Sequence, residues 1–400
     1  MSQNPAPIKV CIVNRNYPPR GGITGESACR LATALGKRVA IDLTVFTIQS
    51  RYGTNESTVP SVGRRVELSS LYNGKRHLPR MFASFIESLR LILAAKRHNA
   101  SVTIVMTDPP FLSLFASLLL RRPNWWQWSM DLYPDAFSAA GLISKHSSIY
   151  RLLHYLTYRR SPNVLIALGP EQAQYLLAKY GSDISTIVLP CGVRELPSRN
   201  IPGASTSQDV ASTDRRIRLG YCGNLGEAHS AEFVRAVLQL MDPERFEMVL
   251  SVYGSKSESF LRSIDTTSEH IRVVDNIAED RLDSIDVHLV TLLPAWSHVC
   301  VPSKAVSAVC VGRPIMFCGQ SSADTWRMLG EAGILIDPPD DDDVANFRQG
   351  IESVLQTLDV AKLGAMKSAA MLLSERLHQS QQASYDKVAL EMKRASGGTV

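Results

Sequence analysis

Short, unbroken apolar runs recur along this chain, each followed by a stretch with helical periodicity. The first is IKVCIVN, residues 8–14. A strand that is apolar on both sides must be covered on both sides, the condition of a parallel sheet between helix layers. Comparable runs fall at 41–48, 102–106, 126–130, 164–168 and 184–189, with helical stretches near 26–38, 110–121, 147–159 and 170–180. A second series runs 217–222, 248–253, 271–274, 287–293, 315–318 and 334–336. Between the two lies LPSRNIPGASTSQDVASTDRR, residues 196–216, polar and poor in large apolar side chains. Four hundred residues exceed one ordinary core, so two domains are expected.

The reading is α/β, with two Rossmann-like domains over 1–195 and 217–375, a linker at 196–216, and a closing helix at 376–400 packing back on the N-terminal domain. Residues 50–75 read as an irregular excursion.

One connection in the second series stands out: VCVPSKAVSAVCVGRP, residues 299–314. A strand ends before it, and a short apolar helix begins near Ser303 and stops at Gly312-Arg313-Pro314. Ser303 and Lys304 therefore sit at a helix start beyond a strand end. A helix start presents unpaired N–H groups and the positive end of the dipole. Ligands of open α/β sheets bind beyond the strand ends. With the charge of Lys304, the stretch reads as a seat for a phosphate or diphosphate. The alternative reading is a Ser N-cap, an ordinary turn and a solvated lysine.

Other strand ends carry polar chemistry. The loop after 8–14 is NRNYPPRGGITGES, where Gly21, Gly22 and Gly25 allow close backbone approach. It is not G-x-G-x-x-G, so the dinucleotide fingerprint is absent. Asp108 and Asp131 follow the strands at 102–106 and 126–130 and point to a shared cleft. In the second domain Gly223 and Gly226 permit a tight turn after 217–222, and His229 precedes the next helix.

Charge is uneven. Residues 1–200 hold 24 Lys+Arg against 11 Asp+Glu, a net of +13, and the remainder holds 19 against 27, a net of −8. A basic half facing something anionic is the implication. No nucleic-acid-binding motif accompanies it, which leaves an anionic membrane surface. Residues 79–97, PRMFASFIESLRLILAAKR, are amphipathic at helical spacing. They read either as an ordinary packed helix or as one resting on lipid through Lys75, Arg76, Arg80, Arg90 and exposed aromatics. The seven cysteines are scattered without a C-x-x-C pair and read as small core residues of a cytoplasmic protein, peripheral on the membrane's inner face if the lipid reading holds. No metal-ligand spacing is seen, and the N-terminus lacks a signal-peptide pattern.

Four segments, in order, resemble the family 4 glycosyltransferases of GT-B fold: NYPPRGGITGESACRLATALGKR, WSMDLYPD, LGYCGNLGEAH and VPSKAVSAVCVGRP. The resemblance implies two domains facing a central cleft and a nucleotide-diphosphate sugar, a UDP-sugar first, on the C-terminal one. Gly223, Asn224, Gly226, His229, Ser303, Lys304 and Ser307 would line that donor site. Gly21 and Gly22 would approach from the other domain, and Asp131 would stand near the acceptor or reacting sugar, with Asp131 and Lys304 as the catalytic pair. It implies transfer to a lipid-linked or polysaccharide acceptor with retention at the anomeric carbon. It also implies no cofactor and no metal, since cationic side chains and N–H groups take the metal's place. The chain departs from the family pattern at Ser307 and Val299, where glutamates are usual, and at Asn224 and His229, where basic residues are common. These departures leave a catalytically silent paralogue, acting as a membrane-associated partner, as the alternative.

Overall fold

The computed structural model describes residues 6–19, 22–49, 59–72, 74, 76–181, 184–194, 215–275, 277, 279–339 and 343–397. Gly21, Lys75 and nearly all of the expected linker lie outside the described residues. The chain divides into two compact units. The first comprises residues up to Cys191, with Val299–Val301 and the chain from Ser380; the second is Gly192–His298 with Pro302–Gln379.

In the first unit the strands are β1 (Ile8–Val13), β2 (Ile41–Gln49), β3 (Arg64–Ser69), β4 (Val102–Val105), β5 (Trp125–Trp128), β6 (Val164–Ala167) and β7 (Ser185–Val188). The helices are α1 (Ile23–Gly36), α2 (His77–His98), α3 (Leu112–Leu119), α4 (Asp135–Ala139), α5 (Ser148–Tyr158) and α6 (Pro170–Tyr180). All strands pair in parallel, in the order β3-β2-β1-β4-β5-β6-β7. The two faces of β1, β2, β4 and β5 feed different cores. Val10, Ile12, Trp126 and Trp128 join α1 on one side. Cys11, Val13, Val105 and Trp125 join α2 and α3 on the other.

Two expectations need correction. The excursion over 50–75 contains β3, which pairs with β2 along its whole length. Its sequence, RRVELS, is charged and half exposed, the composition of an edge strand, so no continuous apolar run marks it. Helix α1 starts at Ile23 and not at Glu26, with Gly22 as its N-cap at φ 143°. A Cβ at Gly25 would stand 2.6 Å from the Asn16 carbonyl oxygen, so glycine is what lets the first turn of α1 lie against the loop before it.

The second unit holds β8 (Ile217–Asn224), β9 (Phe246–Tyr253), β10 (Ile271–Val273), β11 (Val287–Thr291), β12 (Ile315–Cys318) and β13 (Gly333–Ile336). These too are all parallel, in the order β10-β9-β8-β11-β12-β13. Its helices are α7 (Ala231–Leu240), α8 (Ser257–Arg262), α9 (Ser303–Cys310), α10 (Asp324–Leu329) and α11 (Val344–Thr357). Helix α12 (Val360–Ala395) contributes its early turns to this unit and its last turns to the first. There Tyr385, Val388 and Met392 join the core of α1, and Arg38 Nε meets Asp386 at 2.6 Å. No helix among the described residues is long and apolar enough to cross a membrane.

Candidate functional site

Both sheets reverse their strand order beside the first strand of the unit, β1 in one and β8 in the other. Polar residues gather at the C-terminal end of each, where open α/β sheets take ligands.

In the second unit β8 ends at Gly223 and Asn224. Gly223 has φ 127°, a conformation that favours glycine. The Asn224 side chain packs between Gly226 and Gly254: a Cβ at 226 would lie 3.1 Å from it, and one at 254 would fall inside it. Lys304, in the first turn of α9, reaches this loop. Its Nζ donates to the Asn224 carbonyl at 3.1 Å and to the Tyr221 hydroxyl, and lies 3.9 Å from the Tyr221 ring centre. The Tyr221 hydroxyl donates in turn to the Asn224 carbonyl at 2.9 Å. The ammonium is thereby held at the rim of the loop.

A second cation braces the same loop. Lys256 Nζ donates to the His229 carbonyl at 3.0 Å and the Glu227 carbonyl at 3.4 Å, while its own N–H donates to Leu225 O. The Glu227 carboxylate is 3.9 Å from Lys256 and accepts from Ser255 Oγ at 2.7 Å. Tyr221, Gly254 and Lys256 were not singled out by the sequence. Their roles depend on backbone carbonyls distant in the chain, and the one available signal was a Gly-Ser-Lys turn at the end of the strand beside β8.

His229 and Ser307 are both buried and bonded to backbone carbonyls. His229 is buried, and its Nδ1 lies 2.6 Å from the Thr291 carbonyl. A carbonyl only accepts, so Nδ1 carries the proton. Burial, reinforced by Lys304, pushes the ring down to about 3. The ring is therefore neutral, and it ties α7's approach to β11, helped by Ser230 N donating to Thr291 Oγ1. The His229 C2 proton resonance should show no titration between pH 5 and 8; a midpoint near the ordinary 6.5 would contradict this assignment.

Ser307, placed by resemblance in the donor site, is buried against Gly192 and Arg194. Its hydroxyl donates to Gly192 O at 3.0 Å and accepts from Arg194 Nε at 3.1 Å. Gly192 has φ 89°, and a Cβ there would meet Ser303 O at 2.5 Å. A hydroxyl has a single proton to donate, and this one is spent on Gly192. Ser303 is the first helical residue of α9, with Pro302 as N-cap and no side-chain cap.

In the first unit the loop after β1 is fixed by a half-buried ionic cluster. Arg15 bridges Glu87 at 2.9 Å and Asp108 at 3.0 Å, and Asn16 Nδ2 donates to the other Asp108 oxygen at 3.3 Å. Asp131, after β5, takes its place through Thr107, whose hydroxyl accepts from Met130 N and Asp131 N at 3.1 and 3.0 Å. Leu132 N donates to Val299 O at 3.1 Å, so Val299 enters this loop through its carbonyl. Asp135 anchors the loop's far end, accepting from Tyr150, Tyr158 and Tyr175 at 3.0, 3.2 and 2.6 Å.

Burial, with Asp108 adding to it, raises Asp131 from 3.8 to about 6. Between those values the folded protein holds a proton that the unfolded chain has lost. Stability therefore falls as pH rises through this window, and above it the ionised carboxylate costs at most about 3 kcal/mol. Asp131→Asn should stabilise the protein by about 1–3 kcal/mol at pH 7.5 and by nothing below pH 4. Urea unfolding at both values checks this; equal effects at the two would refute the assigned burial cost. Among the described residues no three His, Cys, Asp or Glu side chains converge as metal ligands.

No protein-family model matches the chain. Over 316 residues it is 26% identical to WbjE of Pseudomonas aeruginosa, described as a probable glycosyltransferase; the match covers 74% of this chain and 76% of that one. Among solved structures, WaaG, a glycosyltransferase involved in lipopolysaccharide biosynthesis, superposes with a TM-score of 0.67 at 14% identity, covering 97% of this chain and all of that one. Anabaena HepE, solved with UDP and glucose, superposes at 0.61 and 14% identity, covering 96% of this chain and all of that one. The chain has the two-sheet α/β fold of these GT-B glycosyltransferases.

Proposed function

We propose that this chain is a glycosyltransferase that takes a sugar from a nucleotide-diphosphate sugar, a UDP-sugar first, and passes it to a lipid-linked or glycan acceptor. The observation that carries the reading is Lys304, whose Nζ is fixed against Asn224 O at the glycine-built end of β8. Breaking a glycosidic bond to a diphosphate builds negative charge on the leaving oxygens. A cation already in place there stabilises the transition state without reorganising. Similarity to WbjE supports the glycosyltransferase class, and the shared fold with HepE, solved with UDP and glucose, supports the donor.

The donor belongs to the second unit in this reading, with Gly223, Asn224, Gly226 and Lys304 around the diphosphate, and Lys256 bracing their loop. His229 shapes the loop as a neutral ring, and Ser303 contributes its place in α9's first turn. Asp131 and the Arg15–Asp108 cluster belong to the acceptor side in the first unit, together with Gly22. The transfer retains the anomeric configuration and needs no cofactor, as the family resemblance implies. The acceptor's lipid is met at an anionic membrane, the cytoplasmic inner face, through α2. Leu78 and Phe82 of α2 are 79% and 68% exposed, beside exposed Arg76 and Arg80.

A panel of UDP-sugars with membrane-extracted lipid acceptors tests this. UDP release that depends on acceptor is expected from one donor. A second reading, a silent paralogue, is favoured by one feature: neither Ser307 nor Val299 offers a carboxylate, and both are tied into backbone contacts. Tight UDP binding without turnover across the panel would decide for it.

A further inference from the structure

Among the described residues of the first unit, eight large apolar side chains stand exposed in two groups: Leu71, Leu78, Phe82 and Phe85 on and before α2, and Leu142, Ile149, Leu152 and Tyr155 on and before α5. The α5 group carries no role in the reading above. Ile149, Leu152 and Tyr155 recur every third residue, so they form a stripe along one side of α5. They are 64%, 57% and 61% exposed. The opposite side is already satisfied: Leu153 and Leu156 pack on the core shared with α3, and Tyr150 and Tyr158 donate to Asp135. The stripe is thus surplus to the fold.

Helices α2 and α5 flank α3 and pack on one buried cluster, α2 through Met81 and Leu89, α5 through Leu153 and Leu156. They lie in the same layer over the sheet. The charge around the stripe has one sign. Lys145, Arg151, Arg159 and Arg160 are exposed, and residues 136–170 contain no Asp or Glu. Around α2, residues 70–100 contain one carboxylate, Glu87, which is buried against Arg15. Arg159 also lies 5.9 Å from the centre of the Tyr155 ring, so cation and aromatic are adjacent at the end of the stripe.

We propose that α5 is a second membrane-contacting helix, which with α2 docks the first unit on an anionic bilayer. Leu142, Ile149, Leu152 and Tyr155 enter the headgroup–acyl boundary, and Lys145, Arg151, Arg159 and Arg160 meet lipid phosphates. Apolar side chains supply burial and cations supply attraction, the two contributions that give stable peripheral binding. Charge complementarity selects this occupant: a stripe whose own segment, 136–170, carries exposed cations and no carboxylate repels a second copy of itself. The inference rests on the membrane-linked acceptor reading and assigns that reading a specific surface.

Full-length protein is sedimented at low salt with vesicles of phosphatidylglycerol and phosphatidylcholine in equal parts, and with phosphatidylcholine alone. Wild type should pellet with the anionic vesicles and be released by salt. Ile149→Glu/Leu152→Glu should weaken partitioning about ten-fold, as should Phe82→Glu on α2. Lys145→Gln/Arg159→Gln/Arg160→Gln should lower both affinity and its salt dependence. A thermal shift with UDP on each sample reports folding and the donor site separately. Loss of that shift with vesicle binding intact strikes the donor reading and leaves this surface standing. The inference is overturned if wild type stays in the supernatant, or if the α5 variants partition like wild type while Phe82→Glu does not. It is also overturned if the stripe mediates binding to a protein or a second copy, seen as a complex in sedimentation velocity that the double variant loses without any vesicle binding.

Discussion

Replacing Lys304 by Met should leave the fold intact and lower kcat/KM about 10²–10³-fold, the usual cost of removing one preorganised donor to a developing anion. The side chain is packed along Gly223, where a Cβ would lie 3.7 Å from its Cδ, and Met conserves that volume. What Met removes is the charge at Asn224 O and over the Tyr221 ring. Cation–π and carbonyl contacts hold the ammonium before any substrate arrives, so its electrostatic work in the transition state costs no rearrangement. Arg carries the charge on a longer, planar head, and Lys304→Arg should recover part of the loss. The loss should appear mainly in kcat if the contact strengthens as the bond breaks, and in KM if Lys304 only binds donor. Unchanged turnover in the Met variant would remove Lys304 from the mechanism.

Asp135→Ala should be the costliest single change in the first unit, at about 3–5 kcal/mol. The Asp135 carboxylate is 1% exposed and accepts three tyrosine hydroxyls, with Lys179 at 3.9 Å. Burial, with this carboxylate beside them, pushes the phenols of Tyr150, Tyr158 and Tyr175 up, so all three remain protonated donors. Alanine would strand them around an empty site, and each unmade buried hydrogen bond is expensive. Asp135→Asn keeps one acceptor oxygen and should cost roughly half as much. Urea unfolding checks both; a cost below about 1 kcal/mol for Asp135→Ala would mean that the tyrosines find other partners. Because Asp135 also ends the loop that begins at Asp131, partial loss of activity should accompany the stability loss in both variants.

The fold was legible where strands are buried on both faces. IKVCIVN is continuous because β1 lies mid-sheet between two cores. β3 was not legible, because an edge strand half in water is built from residues such as Arg64, Arg65 and Glu67. The geometry at the end of β8 was legible as far as local rules reach. A strand end, a glycine turn and a helix start place Lys304 beside Asn224. The chemistry of individual side chains was less so, since it depends on partners far off in the chain. Ser307 is committed by Gly192, and His229 by Thr291. Tyr221 read as one more apolar strand residue, although its hydroxyl is what Lys304 leans on. Likewise, the periodicity of α5 marks an amphipathic helix, but it does not tell that Ile149, Leu152 and Tyr155 are left uncovered.

On the proposed reading a nucleoside diphosphate seats at Lys304, and its binding is measurable without knowledge of the sugar or acceptor. Thermal unfolding is followed with UDP, GDP, dTDP, CMP and NAD on wild type and on Lys304→Met. A ligand that binds only the folded state raises the midpoint by mass action, about 2.7 kcal/mol of stabilisation at one hundred times Kd. The expected result is a rise with one nucleoside diphosphate, UDP first, absent with NAD and lost in the variant. A rise of equal size in wild type and variant, or none with any nucleoside diphosphate, would contradict it.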